Sequence, residues 1–526
     1  MKRLMLAAAL AAMIFDSAAL AETRQEREAR KQEEKELGSL YLRCDGKPNN
    51  MTDGESFARF LGAITLLGIF AKSPEAADPS KRLFGEEGVG ACTQLIDGED
   101  AEKNGVRRLP LILARALHQI EAKNYEAAIA DVDKARGEAS DIGLTGNPYF
   151  DRSMGLSFDN IEAEARLRLG DPLGAQKVSL GRLAHAQYSF VPLVFARDYS
   201  DYMHELTPLA EKATIAQIRI TTPFGLGSYA DKLEEVGRFA EAAQKREALI
   251  EFVEGLKPEN VSSIYYARAA VSHALAGEWD RAPERADFAR ANLAQRRSNG
   301  VAEDNESTVI EVLDLYDLLR LAHGGDTDKA RLQFAARSQW LGPSFGDVME
   351  ANRRLREGAT PDQLFGALSK TPEQMWEERR DNLMATKLQK DTDNKTLFNQ
   401  IVPYAKIDEF EAQSKTTWRV EKSKMMLKKP SEKTGLWGIY TTGNPQTRFD
   451  SVVLHAALQA QARGKQGFVI SMTSERSLTI GVTRFLDRDE LKGDDSLFVD
   501  AADAISELRE VIPDPDELKR RRKARR

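Results

Sequence analysis

Between residues 107 and 340, apolar positions recur at helical spacing, in paired runs separated by short polar turns. The stretch "GEWDRAPERADFA", Gly277 to Ala289, shows the pattern most clearly. Its Ala282, Ala286 and Ala289 stand at i, i+4 and i+7, on one helical face. The charged residues between them fall on other faces, where solvent is expected. Trp279 and Ala276 are placed to pack at the turn, and Pro283 sits in the first turn of the helix, where proline is tolerated. "KNYEAAIADVDKA" (Lys123–Ala135), "GDPLGAQKVSL" (Gly170–Leu180), "GRFAEAAQKREAL" (Gly237–Leu249) and "GDTDKARLQFAAR" (Gly325–Arg337) share this layout. Each follows a helix that carries a small or apolar residue before the turn: Ala116, Ala163, Ala230, Ala270 and Leu318. Two antiparallel helices approach most closely near the turn that joins them, and small side chains there permit the contact.

This pattern resembles the tetratricopeptide repeat (TPR), a helix–turn–helix unit that stacks into a solenoid. The matching residues are Ala270, Gly277, Trp279, Ala282, Ala286 and Ala289 in the clearest copy. Ala116, Tyr125, Ala128, Val132 and Ala135 match in the first, Ala230, Gly237, Phe239 and Ala242 in the third, and Ala330 and Phe334 in the last. The resemblance covers about half the chain and departs from the family in its period. The anchor alanines at 128, 175, 242, 282 and 330 are spaced more widely than the family repeat of about 34 residues. The widest gap leaves room for a diverged pair around "ARDYSDYMHELTPLAEKATIAQI". The resemblance therefore implies an irregular solenoid.

Residues 371–400 read as a helix that turns polar, and beyond them the period changes. "GLWGIYTTG" suggests a strand, "FDSVVLHAALQAQARG" an amphipathic helix ending at glycine, and "GFVISMTSERSLTIGVTRF" a hairpin around "SERS". "AADAISELREVI" adds a last helix. The expected fold is mainly α: an irregular TPR-like helical-hairpin solenoid followed by a small α+β domain. The expected organisation is a signal peptide at 1–21, a charged leader and helical cap at 22–106, repeats and a linker helix at 107–400, the α+β domain at 401–512 and a basic tail at 513–526.

The export reading rests on "MKRLMLAAALAAMIFDSAALA": two cations, an apolar run, then Ala19-Leu20-Ala21. The alternative, an N-terminal membrane anchor, has a short apolar stretch for a span. Cleavage after Ala21 would place the chain in a bacterial periplasm or outside the cell. Cys44 and Cys92 are the only cysteines. In an oxidising compartment they read as a disulfide; two buried thiols and a redox pair are the alternatives, and the spacing is far from C-x-x-C. "FARFLGAITLLGIFA", residues 57–71, reads as a buried helix or a membrane-surface segment, being short for a span. A net charge of -7 gives no footprint for nucleic acid. The terminal "KRRRKARR" is either a solvated tail or a contact with an anionic surface such as lipid headgroups.

Catalytic motifs dissolve on inspection. "GPSFG" fits the G-x-S-x-G elbow around Ser344, but the preceding residues read as a helix and not the strand that the motif needs. "GLGSYA", Gly225–Ala230, fits a loose dinucleotide fingerprint without the following strand and acidic residue. His118, His185, His204, His273, His323 and His455 form no metal-ligand spacing, and no acidic stretch has the order of a calcium loop. No catalytic residue, metal or cofactor is expected.

What remains is surface. Stacked as TPR units stack, the first helices would line a groove with Leu117, Ile120, Asp231, Glu234, Glu235, Val271, Leu275 and Leu319 facing inward. Leu113, Ile264 and Leu315 extend the same register. Such a groove is apolar with an acidic middle. It lacks the lysine–asparagine clamp of TPR domains that hold acidic chaperone termini, so an extended apolar or basic peptide fits it better. Coverage of these positions by other helices is the alternative. The expected function is an exported scaffold that binds a protein or peptide in the cell envelope. The second hypothesis is a ligand-binding or catalytic role for the C-terminal domain, with the repeats as recruiter. A charged pocket around Arg448, Arg476 and Arg484 would favour it.

Overall fold

A computed structural model describes residues 37–49, 76–99, 101–256, 261–303, 305–391, 397–402, 404, 427–428, 436–442, 445–475, 478–491 and 494–524. The proposed signal peptide, most of the charged leader and the apolar segment 57–71 lie outside the described residues. The chain divides into two compact units, one of residues 1–144 with 391–401 and one of residues 145–390 with 402–526.

The first unit is built from α1 (Leu40–Asp45), α2 (Gly85–Asp97), α3 (Gly105–Glu121) and α4 (Tyr125–Asp141). Ala128, Val132, Ala135 and Ala139 run at i, i+4, i+7 and i+11 along α4 and are fully buried, which lets α4 lie close on α3. A disulfide joins Cys44 of α1 to Cys92 of α2. It closes a loop spanning 48 positions, worth about 4 kcal/mol by the chain-entropy argument. His118 of α3 links that helix to α1: Nε2 lies 2.8 Å from the Cys44 carbonyl, while Nδ1 lies 2.8 Å from Glu121 of the same helix. Asp45 receives two bonds from buried Arg107, at 2.6 and 3.0 Å.

The second unit begins with α5 (Pro148–Asp151), α6 (Gly155–Arg168), α7 (Pro172–Gly181), α8 (Phe190–Phe195) and α9 (Pro208–Ile220). It continues with α10 (Gly225–Glu235), α11 (Phe239–Leu256), α12 (Ser263–Ala276), α13 (Ala282–Ser298), α14 (Glu306–His323), α15 (Thr327–Ala335), α16 (Phe345–Arg356) and α17 (Pro372–Asp391). Helices α6–α7, α10–α11, α12–α13 and α14–α15 are hairpins that stack in a solenoid-like array. Each turn carries a glycine with positive φ, between 76 and 95°: Gly170, Gly237, Gly277 and Gly325. A side chain there would be strained, so these glycines fix where one helix stops and the next starts. Ala270, Ala274, Ala282, Ala286 and Ala289 are all fully buried at the α12–α13 contact. The stretch 196–218, expected to hold a diverged pair, holds a single short turn of 3-10 helix, Ser200–Tyr202, and most of α9 in place of two paired helices.

The chain ends in a five-stranded antiparallel sheet of order β1-β2-β4-β3-β5: β1 (Leu427–Lys428), β2 (Trp437–Thr442), β3 (Gly467–Glu475), β4 (Leu478–Leu486) and β5 (Val499–Asp500). Helices α18 (Pro445–Ala462), α19 (Ala501–Leu508) and α20 (Pro515–Ala524) accompany it. The fold is thus mainly α with a small α+β portion. Gly481 of β4 lets α18 settle on the sheet; a Cβ there would stand 2.6 Å from Val452. The core of this portion continues into the helices before it, where Tyr149, Leu180, Leu193, Ala210 and Ile220 join Val452, Phe468, Val499 and Ile512. Polar contacts cross the same junction. Glu507 accepts from the backbone N–H groups of Gln187 and Tyr188, and Asp450 from that of Phe190 at 2.7 Å. The Phe190 and Phe449 rings stack at 3.6 Å. Met472 N–H donates to the Thr221 carbonyl at 2.6 Å.

Candidate functional site

The positions expected to line an inward groove are mostly interior, which corrects that expectation. Leu117 and Ile120 are buried in the first unit, along with Leu113. Val271, Leu275, Leu315 and Leu319 are buried in one continuous core shared by α12, α14 and α16. The reason is stacking: α12 touches α11, α13, α14 and α16, so its apolar positions are covered from several sides. Ile264 is half-buried against the same core.

The acidic positions are engaged by arginines. Glu234 is buried and receives Arg246 at 2.8 and 2.7 Å and the Ser272 hydroxyl at 2.6 Å. Asp231 receives Arg246 at 2.7 Å and Arg268 at 3.2 Å. Glu235 receives Arg379 of α17 at 2.6 Å. The charges of the Gly277–Ala289 stretch are also less solvated than their spacing suggests. Glu278 lies 2.6 Å from His273, whose other ring nitrogen is 2.9 Å from Glu247, and Arg285 donates to Glu247 at 2.7 Å. Burial pushes His273 down, but the two carboxylates outweigh it and hold its pKa above the ordinary value.

Ser344 accepts from the Asp347 N–H at 3.1 Å and caps α16, preceded by loop and not by a strand. Gly225–Ala230 opens α10 directly after helix α9. His323 stacks on Trp279 at 4.2 Å, and His455 is buried in α18. Among the described residues no group of His, Cys, Asp or Glu is arranged to hold a metal ion. Arg448 is buried on α18, while Arg484 lies exposed on the opposite side of the sheet. The two do not share a pocket, and Arg476 lies outside the described residues.

The arrangement that does open a site is a cleft between α11 and the sheet face turned away from α18. Its inner chamber, about 110 Å³, is walled by Ala248 and Phe252 of α11, Val469 of β3, Val482 and Leu486 of β4, and Leu497. Alternation along β3 and β4 puts Val469, Ser471, Val482, Arg484 and Leu486 on this face. Glu251 and Arg484 line the chamber without ionic partners among the described residues. The remaining polar lining is committed: Ser471 pairs with Thr222 at 3.1 Å and Asp494 with Lys245 at 2.5 Å. Burial pushes Asp494 up, yet Lys245 and Ser496 hold it below the usual carboxylate range.

An outer chamber of about 540 Å³ adjoins the first, sharing Ala248, Glu251 and Asp494 with it. Glu247, Glu251, Glu254, Asp494 and Asp495 face it together with Lys245, Arg281 and Arg285. Five carboxylates against three cations leave a formal excess of two negative charges. The site thus combines a narrow apolar recess with a wide acidic entrance. No protein family, curated protein or solved structure matches this chain.

Proposed function

We propose that the protein is an exported, TPR-like helical scaffold that binds a peptide segment of another protein, and that the cleft between α11 and the sheet is its binding site. The observation that carries this reading is the two-chamber cleft: an apolar recess of about 110 Å³ opening into an acidic entrance of about 540 Å³. A recess of this size accepts one or two apolar side chains. The entrance favours cationic flanks, and Glu251, without an ionic partner among the described residues, can meet one. The ligand is therefore an extended segment with a leucine or phenylalanine anchor flanked by lysine or arginine. The Cys44–Cys92 disulfide supports export, since such bonds persist in oxidising compartments.

Fluorescence anisotropy with labelled peptides tests this on the full chain. A phenylalanine-anchored, lysine-flanked peptide is expected to bind and its glutamate-flanked counterpart to bind far more weakly. Glu251→Lys, at an exposed position, should weaken the lysine-flanked peptide by about tenfold. Ala248→Trp, which fills the passage between the chambers, should abolish binding. Equal binding of both peptides, or of neither, contradicts the proposal.

A further inference from the structure

Helix α17 lies on the hairpin array as a bound peptide would. Met375, Trp376, Arg379, Arg380, Leu383, Met384 and Lys387 form one half-buried stripe at helical spacing, and none of its described side chains is fully buried. A helix of 20 residues that folds as part of a core ordinarily buries an apolar face. This one is held by separate anchor points. Trp376 stacks on His204 at 5.2 Å. Arg379 reaches Glu235 of α10 at 2.6 Å and lies over the Phe345 ring of α16 at 4.4 Å. Lys387 pairs with Glu164 of α6 at 3.0 Å. Met384 rests against the cluster of Ala163, Leu167, Ala175 and Tyr199. Beside the first half of α17 runs a cavity of about 480 Å³, with Trp340, Leu341, Val348, Met375 and Leu383 in its wall.

The surface beneath α17 thus offers an acidic socket at Glu235, a second carboxylate at Glu164 that Lys387 shares with Arg168 of α6, and two ring platforms, His204 and Phe345. Anchors at 376, 379 and 387 stand at i, i+3 and i+11, one face of a helix. We infer that this surface is a docking site for a basic amphipathic helix of a partner protein, and that α17 occupies it in cis until the partner displaces it. The sockets select cations, the platforms select an aromatic residue or an arginine plane, and the cavity receives an apolar side chain larger than the Met375 and Leu383 of α17 that border it. This site is separate from the cleft and does not depend on it.

The test uses the full chain and a labelled synthetic peptide with the sequence of residues 371–391. In wild type the tethered helix competes at an effective concentration on the order of 1 mM, so binding in trans is weak. The triple variant Trp376→Ala, Arg379→Ala, Lys387→Ala loses the anchors but keeps the surface. It should bind the peptide roughly tenfold or more tighter than wild type. A peptide with the two anchoring cations, Arg379 and Lys387, replaced by glutamate should not bind. Amide exchange across 372–391 should accelerate in the variant while α12 and α14 stay protected. Lys387→Glu alone, a milder change, should move both readouts the same way and covers the case in which the triple variant fails to fold. Unchanged exchange in 372–391, no gain in binding by either variant, or equal binding of the charge-reversed peptide overturns the inference.

Discussion

Replacing His455 with leucine should stabilise the second unit, and the gain should grow as pH falls. His455 is buried in α18, and neither ring nitrogen has a hydrogen-bond partner among the described residues. An unpartnered buried polar group costs about 1–3 kcal/mol, so His455→Leu should gain on that order near neutral pH, less any misfit of the leucine. Burial, aided by the Arg463 charge, lowers the His455 pKa from 6.5 to about 4. A base with a depressed folded pKa binds fewer protons when folded, so stability is lost as pH falls from the unfolded pKa through the folded one. The full penalty below about pH 4 is about 3 kcal/mol, of which about 2 kcal/mol has developed by about pH 5. Asp450 and Glu507, in the same unit, are pushed up by burial and act in the opposite sense. The wild-type curve alone therefore mixes opposing contributions. The difference between wild type and His455→Leu isolates the histidine. Urea unfolding followed by Trp437 fluorescence, in a chain whose other tryptophans are phenylalanine, provides the assay. A stability difference that is the same at about pH 7.5 and pH 5 would refute the reasoning.

Further outcomes follow from buried charge and close packing. Asp450, raised from 3.8 to about 7, favours the folded state at low pH and loses that contribution as pH rises from the unfolded pKa through the folded one; Asp450→Asn should flatten the decline in unfolding free energy between about pH 4 and 7. Burial beside Glu234 holds the pKa of Asp347 well above the usual carboxylate range, against the opposing pull of Arg246. Asp347→Asn should therefore be tolerated in thermal melts, whereas Arg246→Ala, which strands Glu234, should cost about 3–5 kcal/mol. Ala286→Leu should overpack the α12–α13 contact by about 1–3 kcal/mol in chemical unfolding, while Glu284→Gln on the exposed side of the same helix should have no measurable effect. Cys44→Ser should lower the stability of the first unit by about 4 kcal/mol, read by amide exchange in α3.

The hairpins were legible because their causes are local. Gly277 followed by Ala282, Ala286 and Ala289 encodes a turn and a close helix contact within thirteen residues, and the structure has both. The strand at Trp437–Thr442 and the hairpin of β3 with β4 likewise follow from short β-rich runs. The groove was misread because the side of a first helix that faces solvent depends on which other helices stack on it, and one helix's spacing does not record its neighbours. Val271 and Leu319 have the same apolar pattern whether they line a groove or a core. Glu235 met its partner Arg379 only across 144 positions. The cleft was hidden for the same reason: Glu251 and Phe252 approach Val482 and Arg484 through tertiary packing that no local pattern signals. Arg484 stands out in the sequence as a charge within a β-rich run, whereas nothing local sets Phe252 or Val482 apart.

Photo-crosslinking tests the central claim, that the cleft receives a peptide with an apolar anchor and basic flanks. Benzoylphenylalanine is placed at Phe252 in the cleft wall and, as a control, at exposed Leu332 of α15, in the full chain. The account predicts a covalent adduct with the phenylalanine-anchored, lysine-flanked peptide at position 252, lost in Ala248→Trp, and none at 332. An adduct at 332 as strong as that at 252, or one at 252 that survives Ala248→Trp, would contradict it.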